Sequence, residues 1–492
     1  MAAKQAGTPP FAFSGDKSPG AEGCMETNLT HAIDSEHPEY RAKRGIWKRY
    51  RDLYVGGEQL RASASEYLIR RQKEAAEVYH ERLERVFYEN YAGSIVDWYA
   101  STLFRREPVL LAEGDDLRAR KFLGQFSEDC DMRGTTLTDF YRKQFLDAMV
   151  CGVSYSLVDF PRAERKPATL AEEDREGTSR AYLSHCPAEQ LINWATDERG
   201  DFEWAVIRTK FDRQPTLEAG ARREQTRWLY YDRRRYQIYR SVEEPGHTAA
   251  PQLESEGEHA FASQNRVPLF PLRMPEGLWL MNKAGLLQLE HFNKSNALGW
   301  ALTLGLFATP VIYSERDWNQ VIGESYYIQL GVNDRFGWTE PEGKVFQLAA
   351  DNLTRLQEEI YRVCYLLTQS GNGSLNRQQS GVSKQRDYAI TQEVLRGFGD
   401  VVKDAMKRVL RAVIAARKDD ISIDVSGLDE FDIGDFSGEL EDARTLLGLG
   451  IESPTLKKQV FKKLAFKYLS DVRQEVKDRI AGEIEQDREV KQ

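Results

Sequence analysis

The sequence predicts a predominantly helical α+β protein, and three observations carry that prediction. Apolar residues recur at steps of three and four from 40 to 106, from 283 to 308, from 351 to 369 and from 387 to 418, the spacing of amphipathic helices. Between them, residues 181 to 274 turn to aromatic and β-branched runs separated by turn residues, as strands do. With 492 residues the chain exceeds one hydrophobic core, so several domains are expected.

Composition narrows the function classes. A hydrophobic fraction of 41% and a charged fraction of 29% suit a folded soluble protein, while a net charge of −9 argues against gripping nucleic acid over the whole surface. The five cysteines are scattered and form no CxxC, which predicts reduced thiols in a cytoplasmic setting. Residues 1–36 are rich in Gly, Pro and Ser, lack the apolar core of a signal peptide, and are expected to be disordered. The uncharged run after Lys294 is densely apolar only from Ala297 to Ala308, too short to span a membrane before Pro310.

The elements follow in order. Helices are expected over GIWKRYRDLY and on to residue 106, where Leu83, Phe87, Tyr91, Ile95 and Tyr99 fall four apart, and Pro108 ends the run. Helices over 116–126 and 138–150 lead into the strand GVSYSLVDF, and the charged stretch 162–180 reads as a surface excursion. In the helix 283–308, Asn293, Ala297, Ala301 and Gly305 form a small-residue side that lets another backbone approach, either within the subunit or from a second copy. Residues 309–350 read as strand, short helix and two strands, too few for a stable core alone. Leu353, Leu356, Ile360, Val363 and Leu367 make one stripe on the helix 351–369. From 370 to 386 a Gly- and Ser-rich loop carries Arg377, Lys384 and Arg386 and no carboxylate. A long helix over 387–418 is expected to kink at Gly397 and Gly399. The acidic run 419–442 reads as solvated surface, and three helices follow, one capped by Ser453 with Pro454 at its first position.

No catalytic or cofactor constellation emerges. GxxxxGK[ST], HExxH and GxSxG are missing, and the seven histidines show no metal-ligand spacing. The expectation is therefore a non-enzyme without metal or cofactor.

The order of helical region, β-rich middle, rod, small β insert, rod, polar loop, long helix and helical tail resembles the portal protein of tailed bacteriophages. PAEQLINW, PLFPLRMPEGLW leading into AGLLQLEHFNKSNALGWAL, NLTRLQEEIYRVCYLLTQSGNGSLNRQQSGVS and GIESPTL look like portal segments. The resemblance implies a wing at 37–282 with a β-rich part, stem helices at 283–308 and 351–369, a clip at 309–350, a tunnel loop at 370–386, a long wing helix at 387–418 and a crown at 419–492. It further implies a dodecameric ring at one capsid vertex, assembled in the host cytoplasm, through which double-stranded DNA is packaged and ejected. Its partners are then the major capsid protein, the terminase large subunit and the head-tail adaptor, with no membrane.

On that reading, Asn372, Asn376, Arg377, Gln378, Gln379, Lys384 and Arg386 touch DNA transiently and without sequence preference. Ala297, Ala301, Gly305 and the leucine stripe pack the stem. Trp318, Tyr326, Tyr327, Phe336 and Trp338 are clip contacts or the clip's own small core. Two other readings stay open: a different phage tail or capsid protein, and a DNA-processing enzyme with 370–386 as a substrate loop.

Overall fold

The computed structural model describes residues 32–161, 169, 172–173, 177–214, 223–244, 247–248, 250–305, 309–314, 332–339, 343–366, 381–429, 443–449, 453–469 and 474–486. The chain forms two compact units, Met1–Tyr40 with Gln190–Val267, and Arg41–Glu189 with Pro268–Gln492.

The first unit is an antiparallel sheet. Strands β4 (Leu191–Thr196), β5 (Phe202–Arg213), β6 (Arg223–Asp232), β7 (Arg235–Glu244) and the short β8 (His247–Thr248) are neighbours in that order, and β9 (Gln252–Glu258) also pairs with β7. Alternating apolar and polar positions fix its register, which sets Ile207 beside Leu229 and Leu229 beside Ile238. Residues 32–36, expected to be disordered, are part of this unit. Ile33 is buried, Asp34 and Glu36 accept from Arg208 at 2.8 and 3.1 Å, and Asp34 also accepts from Trp228 Nε1 at 2.8 Å. A cation on the sheet collects two carboxylates, and that ordering is invisible to composition.

The second unit is mainly helical: α1 (Pro38–Val55), α2 (Gly57–Ala62), α3 (Ala64–Tyr67), α4 (Ala76–Glu84), α5 (Tyr91–Leu103), α6 (Leu117–Glu128), α7 (Leu137–Cys151), α8 (Leu280–Gly305), α9 (Gly343–Val363), α10 (Gly381–Arg417), α11 (Pro454–Tyr468) and α12 (Gln474–Gln486). Helix α1 begins in the first unit. A three-stranded sheet, β10 (Leu269–Arg273), β2 (Val153–Asp159) and β3 (Tyr182–Pro187), and a pair, β1 (Val109–Glu113) with β13 (Ser422–Ser426), pack among the helices. Caps start several helices: Asp116 accepts from the amides of Arg118 and Ala119, Thr136 from Asp139, and Ser453 from Leu456. The core gathers where α5, α7 and α10 meet, with Phe398 edge-on to Tyr99 at 5.3 Å and to Phe145 at 5.4 Å.

Several sequence expectations are corrected. The run 76–106 is two helices, because Asn90 caps α5 by accepting from Gly93 N at 2.9 Å and residues 85–90 leave the helix. Leu83 and Phe87 therefore do not share a face with Ile95 and Tyr99, and Phe87 is exposed. Residues 343–350 are helical rather than a strand. Helix α9 stops at Val363 instead of 369, and α10 starts at Gly381 instead of 387. The acidic run is not all solvated surface: SIDVS alternates, and Ile423 and Val425 are buried as β13 pairs with β1. Gly399 serves close packing, since a Cβ there would sit 1.9 Å from the Leu428 carbonyl oxygen.

Candidate functional site

Helices α8 and α9 form an antiparallel pair, about 39 and 32 Å long at 1.5 Å per residue. Two contacts set their direction: Lys294 Nζ donates to Asn352 Oδ1 at 3.0 Å, and Lys283 Nζ to the Tyr365 hydroxyl at 2.6 Å. Strands β11 (Thr309–Tyr313) and β12 (Arg335–Thr339), antiparallel with Ile312 opposite Phe336 and Pro310 opposite Trp338, lie in sequence between the two rods.

One side of α8 carries three amide side chains that act as main-chain surrogates. Gln288 accepts from Ala92 N and donates to Glu89 O. Asn293 accepts from Ile69 N and donates to Tyr67 O. Asn296 accepts from Phe87 N at 3.1 Å and donates to Phe87 O at 2.9 Å. Each amide supplies a donor and an acceptor to main-chain groups at helix ends and in the segments between helices. Sequence reasoning noted Asn293 only for its spacing and missed the other two; three amides on a mostly apolar rod were the available signal.

Helix α9 ends in a Schellman motif. Leu366 N donates to Tyr361 O and Tyr365 N to Arg362 O, with Tyr365 in the left-handed region at φ 62°. A tyrosine there is held by its surroundings. The Tyr99 hydroxyl donates to Cys364 O at 2.7 Å, Thr391 Oγ1 on α10 donates to Tyr365 O at 2.7 Å, and Lys283 lies 4.6 Å from the Tyr365 ring centre. Burial drives the Tyr99 phenol well above its ordinary range. It also pushes the Cys364 thiol up to about 12, against the opposing charge of Lys283, so that cysteine stays protonated and inert. These contacts tie the end of α9 to α5, α8 and α10.

The stripe on α9 is only half covered. Leu356 and Ile360 are 8% and 0% exposed, and Leu353 and Val363 are half-buried. Val345 and Leu348 continue that stripe toward the strand pair but are 63% and 61% exposed. Leu302, near the end of α8, and Tyr313, at the end of β11, are exposed as well. Antiparallel pairing brings the end of α8 and the start of α9 to one end of the rods. Sequence reasoning missed Val345 and Leu348 because GKVFQLA alternates over too few residues to separate the two periods.

Of the other predicted residues, Ala297 and Ala301 are half-buried, and Gly305 is the last residue of α8. Phe336 is half-buried in β12, and Trp338 lies in the same strand. Lys384 and Arg386 belong to α10 and not to a loop. Leu367, Asn372, Asn376, Arg377, Gln378, Gln379, Trp318, Tyr326 and Tyr327 lie outside the described residues. Among the described residues no group of His, Cys, Asp and Glu is arranged to hold a metal ion, and no helix is long and apolar enough to cross a membrane.

No protein-family model matches the chain. No curated protein matches it either. Among solved structures the chain is similar to one from the neck of an empty gene transfer agent (GTA) particle, at 13% identity and a TM-score of 0.42, covering 75% of this chain and 90% of that one. A chain from the virion of a native GTA particle has 13% identity and a TM-score of 0.37, with 80% and 95% covered. A third, from the neck of a native GTA particle computed with C12 symmetry, has 12% identity and a TM-score of 0.38, with 75% and 89% covered.

Proposed function

We propose that this chain is a portal protein of a tailed-phage-type particle, which assembles as a ring, a dodecamer in its expected form, around a channel for double-stranded DNA. The supporting observation is the α9 stripe, buried at Leu356 and Ile360 within the subunit and open at Val345 and Leu348 in its first two turns. A rod that covers half of its apolar stripe internally and leaves the other half in water calls for a second copy, because exposed contiguous apolar surface marks an interface. In a closed ring each subunit presents two different faces to its neighbours, and a two-rod stem supplies both.

On this reading 37–282 is the wing, facing the major capsid protein, and α8 and α9 are the stem. The segment with β11 and β12 is the clip, meeting the terminase large subunit and later the head-tail adaptor. Residues 367–380 then lead into the channel, where Asn372, Asn376, Arg377, Gln378 and Gln379, with Lys384 and Arg386 at the start of α10, make transient phosphate contacts, and the C-terminal helices form the crown. Translocation energy comes from the terminase, since this chain carries no nucleotide-binding motif.

Negative-stain electron microscopy of the purified protein tests the proposal. A ring with an axial opening is expected. A monomer at all concentrations, or a closed shell lattice, sinks it.

A further inference from the structure

Helix α8 is flanked on opposite sides. Lys294 reaches α9 through Asn352, whereas Asn296 and Gly299, two and five residues further on, face Phe87. At 3.6 residues per turn those positions point about 200° and 140° away from Lys294, so α9 and the segment carrying Phe87 lie across α8 from each other. Phe87 is 43% exposed, and its ring lies over Gly299, where an added Cβ would be 3.0 Å from Cε1. Its N–H and carbonyl are both held by Asn296, so the ring is presented on a fixed backbone. On the other side, Leu348 of α9 is 61% exposed, and Lys344, one turn before it, is exposed as well. The two patches are level: counting 1.5 Å per residue from the Lys294–Asn352 contact, Leu348 stands about 6 Å and Gly299 about 8 Å toward the same end of the rods. Each patch also carries an unmatched charge. Arg85 takes Glu81 as its partner and leaves Glu84, exposed at the end of α4, without an ion pair among the described residues, and Lys344 has none either.

We infer that in the ring Leu348 of one copy packs on Phe87 of the next, with Lys344 of the first beside Glu84 of the second. The inference rests on the ring proposed above, with the rods along its axis. Neighbours are then related by rotation alone, so only groups at the same level meet, and each copy must offer a different surface on either side. Phe87 and Leu348 satisfy both conditions. A second copy is favoured over a foreign protein because the two patches complement each other, apolar residue to apolar residue and carboxylate to ammonium. A twofold dimer through the α9 patch would instead set Leu348 against Leu348 and bring two Lys344 charges together. The exposed ion pair contributes little by itself and serves to fix the register, while the apolar contact, repeated around the ring, holds the copies.

The test uses the full-length protein and a short bis-maleimide. Cys130, Cys151, Cys186 and Cys364 are buried, and the parent protein controls for Cys24. The double variant Phe87→Cys, Leu348→Cys is expected to cross-link into a ladder that runs past the dimer on a denaturing gel, while the parent and each single variant stay monomeric. Rings in negative stain without a ladder overturn this contact and leave the ring standing; no rings from the parent protein remove both. A dimer from Leu348→Cys alone marks a twofold interface and overturns the inference. Charge exchange tests the same contact with both apolar residues in place. Glu84→Lys and Lys344→Glu are each expected to raise the concentration at half assembly by about threefold, and the two together to restore the parent value. A double variant no better than either single one overturns the inference.

Discussion

The Tyr99 hydroxyl donates to the Cys364 carbonyl oxygen at 2.7 Å, joining α5 to the turn that ends α9 across 265 residues of sequence. The bond is buried, so the acceptor has no water to turn to. Tyr99→Phe is expected to cost about 1 to 3 kcal/mol, the penalty of an unsatisfied buried carbonyl. Urea unfolding measures the loss, and hydrogen exchange at the Tyr365 and Leu366 amides locates it. Unchanged exchange there would mean the turn holds itself.

Leu348→Glu, alone or with Val345→Glu, changes residues that are mostly in water in the single subunit. The fold should therefore lose less than about 0.5 kcal/mol, as is usual for surface substitutions. On the proposed ring reading assembly should fail, because each copy would then bury a charge where the rods meet a second copy. Sedimentation separates the outcomes, and an intact ring from the double variant removes the stripe from the interface.

Asn296→Ala leaves both the N–H and the carbonyl of Phe87 without their partner on α8. A destabilisation of about 2 kcal/mol is expected from two orphaned groups in a half-buried setting. Protease nicking between Arg85 and Tyr91 should rise with it. Nicking equal to the parent protein would show that water replaces the amide.

Acid stability should depend on Asp147. Burial alone raises its carboxyl pKa, but the hydrogen bond with His185 and the charges of Arg51 and His185 outweigh burial and hold it below the usual range. A folded-state pKa below the unfolded one means stability that is present above about pH 4 and is lost as pH falls through the folded value. Asp147→Asn should flatten that acid limb in pH-dependent unfolding. At neutral pH it should cost about 3 kcal/mol, because Arg51 and His185 lose a buried partner. An unchanged acid limb assigns the pH dependence to other carboxylates.

On the proposed portal reading, replacing Arg377, Lys384 and Arg386 with Ala should leave the ring assembled and reduce packaged or retained genome. Counting full particles by electron microscopy reads this directly. Loss of the ring itself would mean that these cations hold the subunit together.

Much of the fold was legible in the sequence, and particular residues explain why. The aromatic and β-branched alternation in FEWAVIRTKF and TRWLYYD gives strands wherever it is buried on one side. Ser453 announces a helix start because its side chain satisfies an amide only three residues away. Element ends governed by distant groups were not legible. Helix α9 stops at Val363 because Tyr99, Lys283 and Thr391 hold the turn, although the leucine stripe continues to Leu367. Residues 343–350 alternate like a strand yet form a helix, since the local pattern fits both periods. Of the candidate site, the stem stripe was readable, whereas its half-open state was not.

The sequence by itself determined the β-rich block, the two rods, most of the helices and the missing catalytic motifs, because these follow from periodicity and residue chemistry within a few turns of chain. Tertiary structure alone decided that Gly399 admits the Leu428 carbonyl and that Gln288, Asn293 and Asn296 complete the main chain of other segments. Those relationships depend on which surfaces meet after folding, and groups brought together from far apart in the chain leave no local pattern.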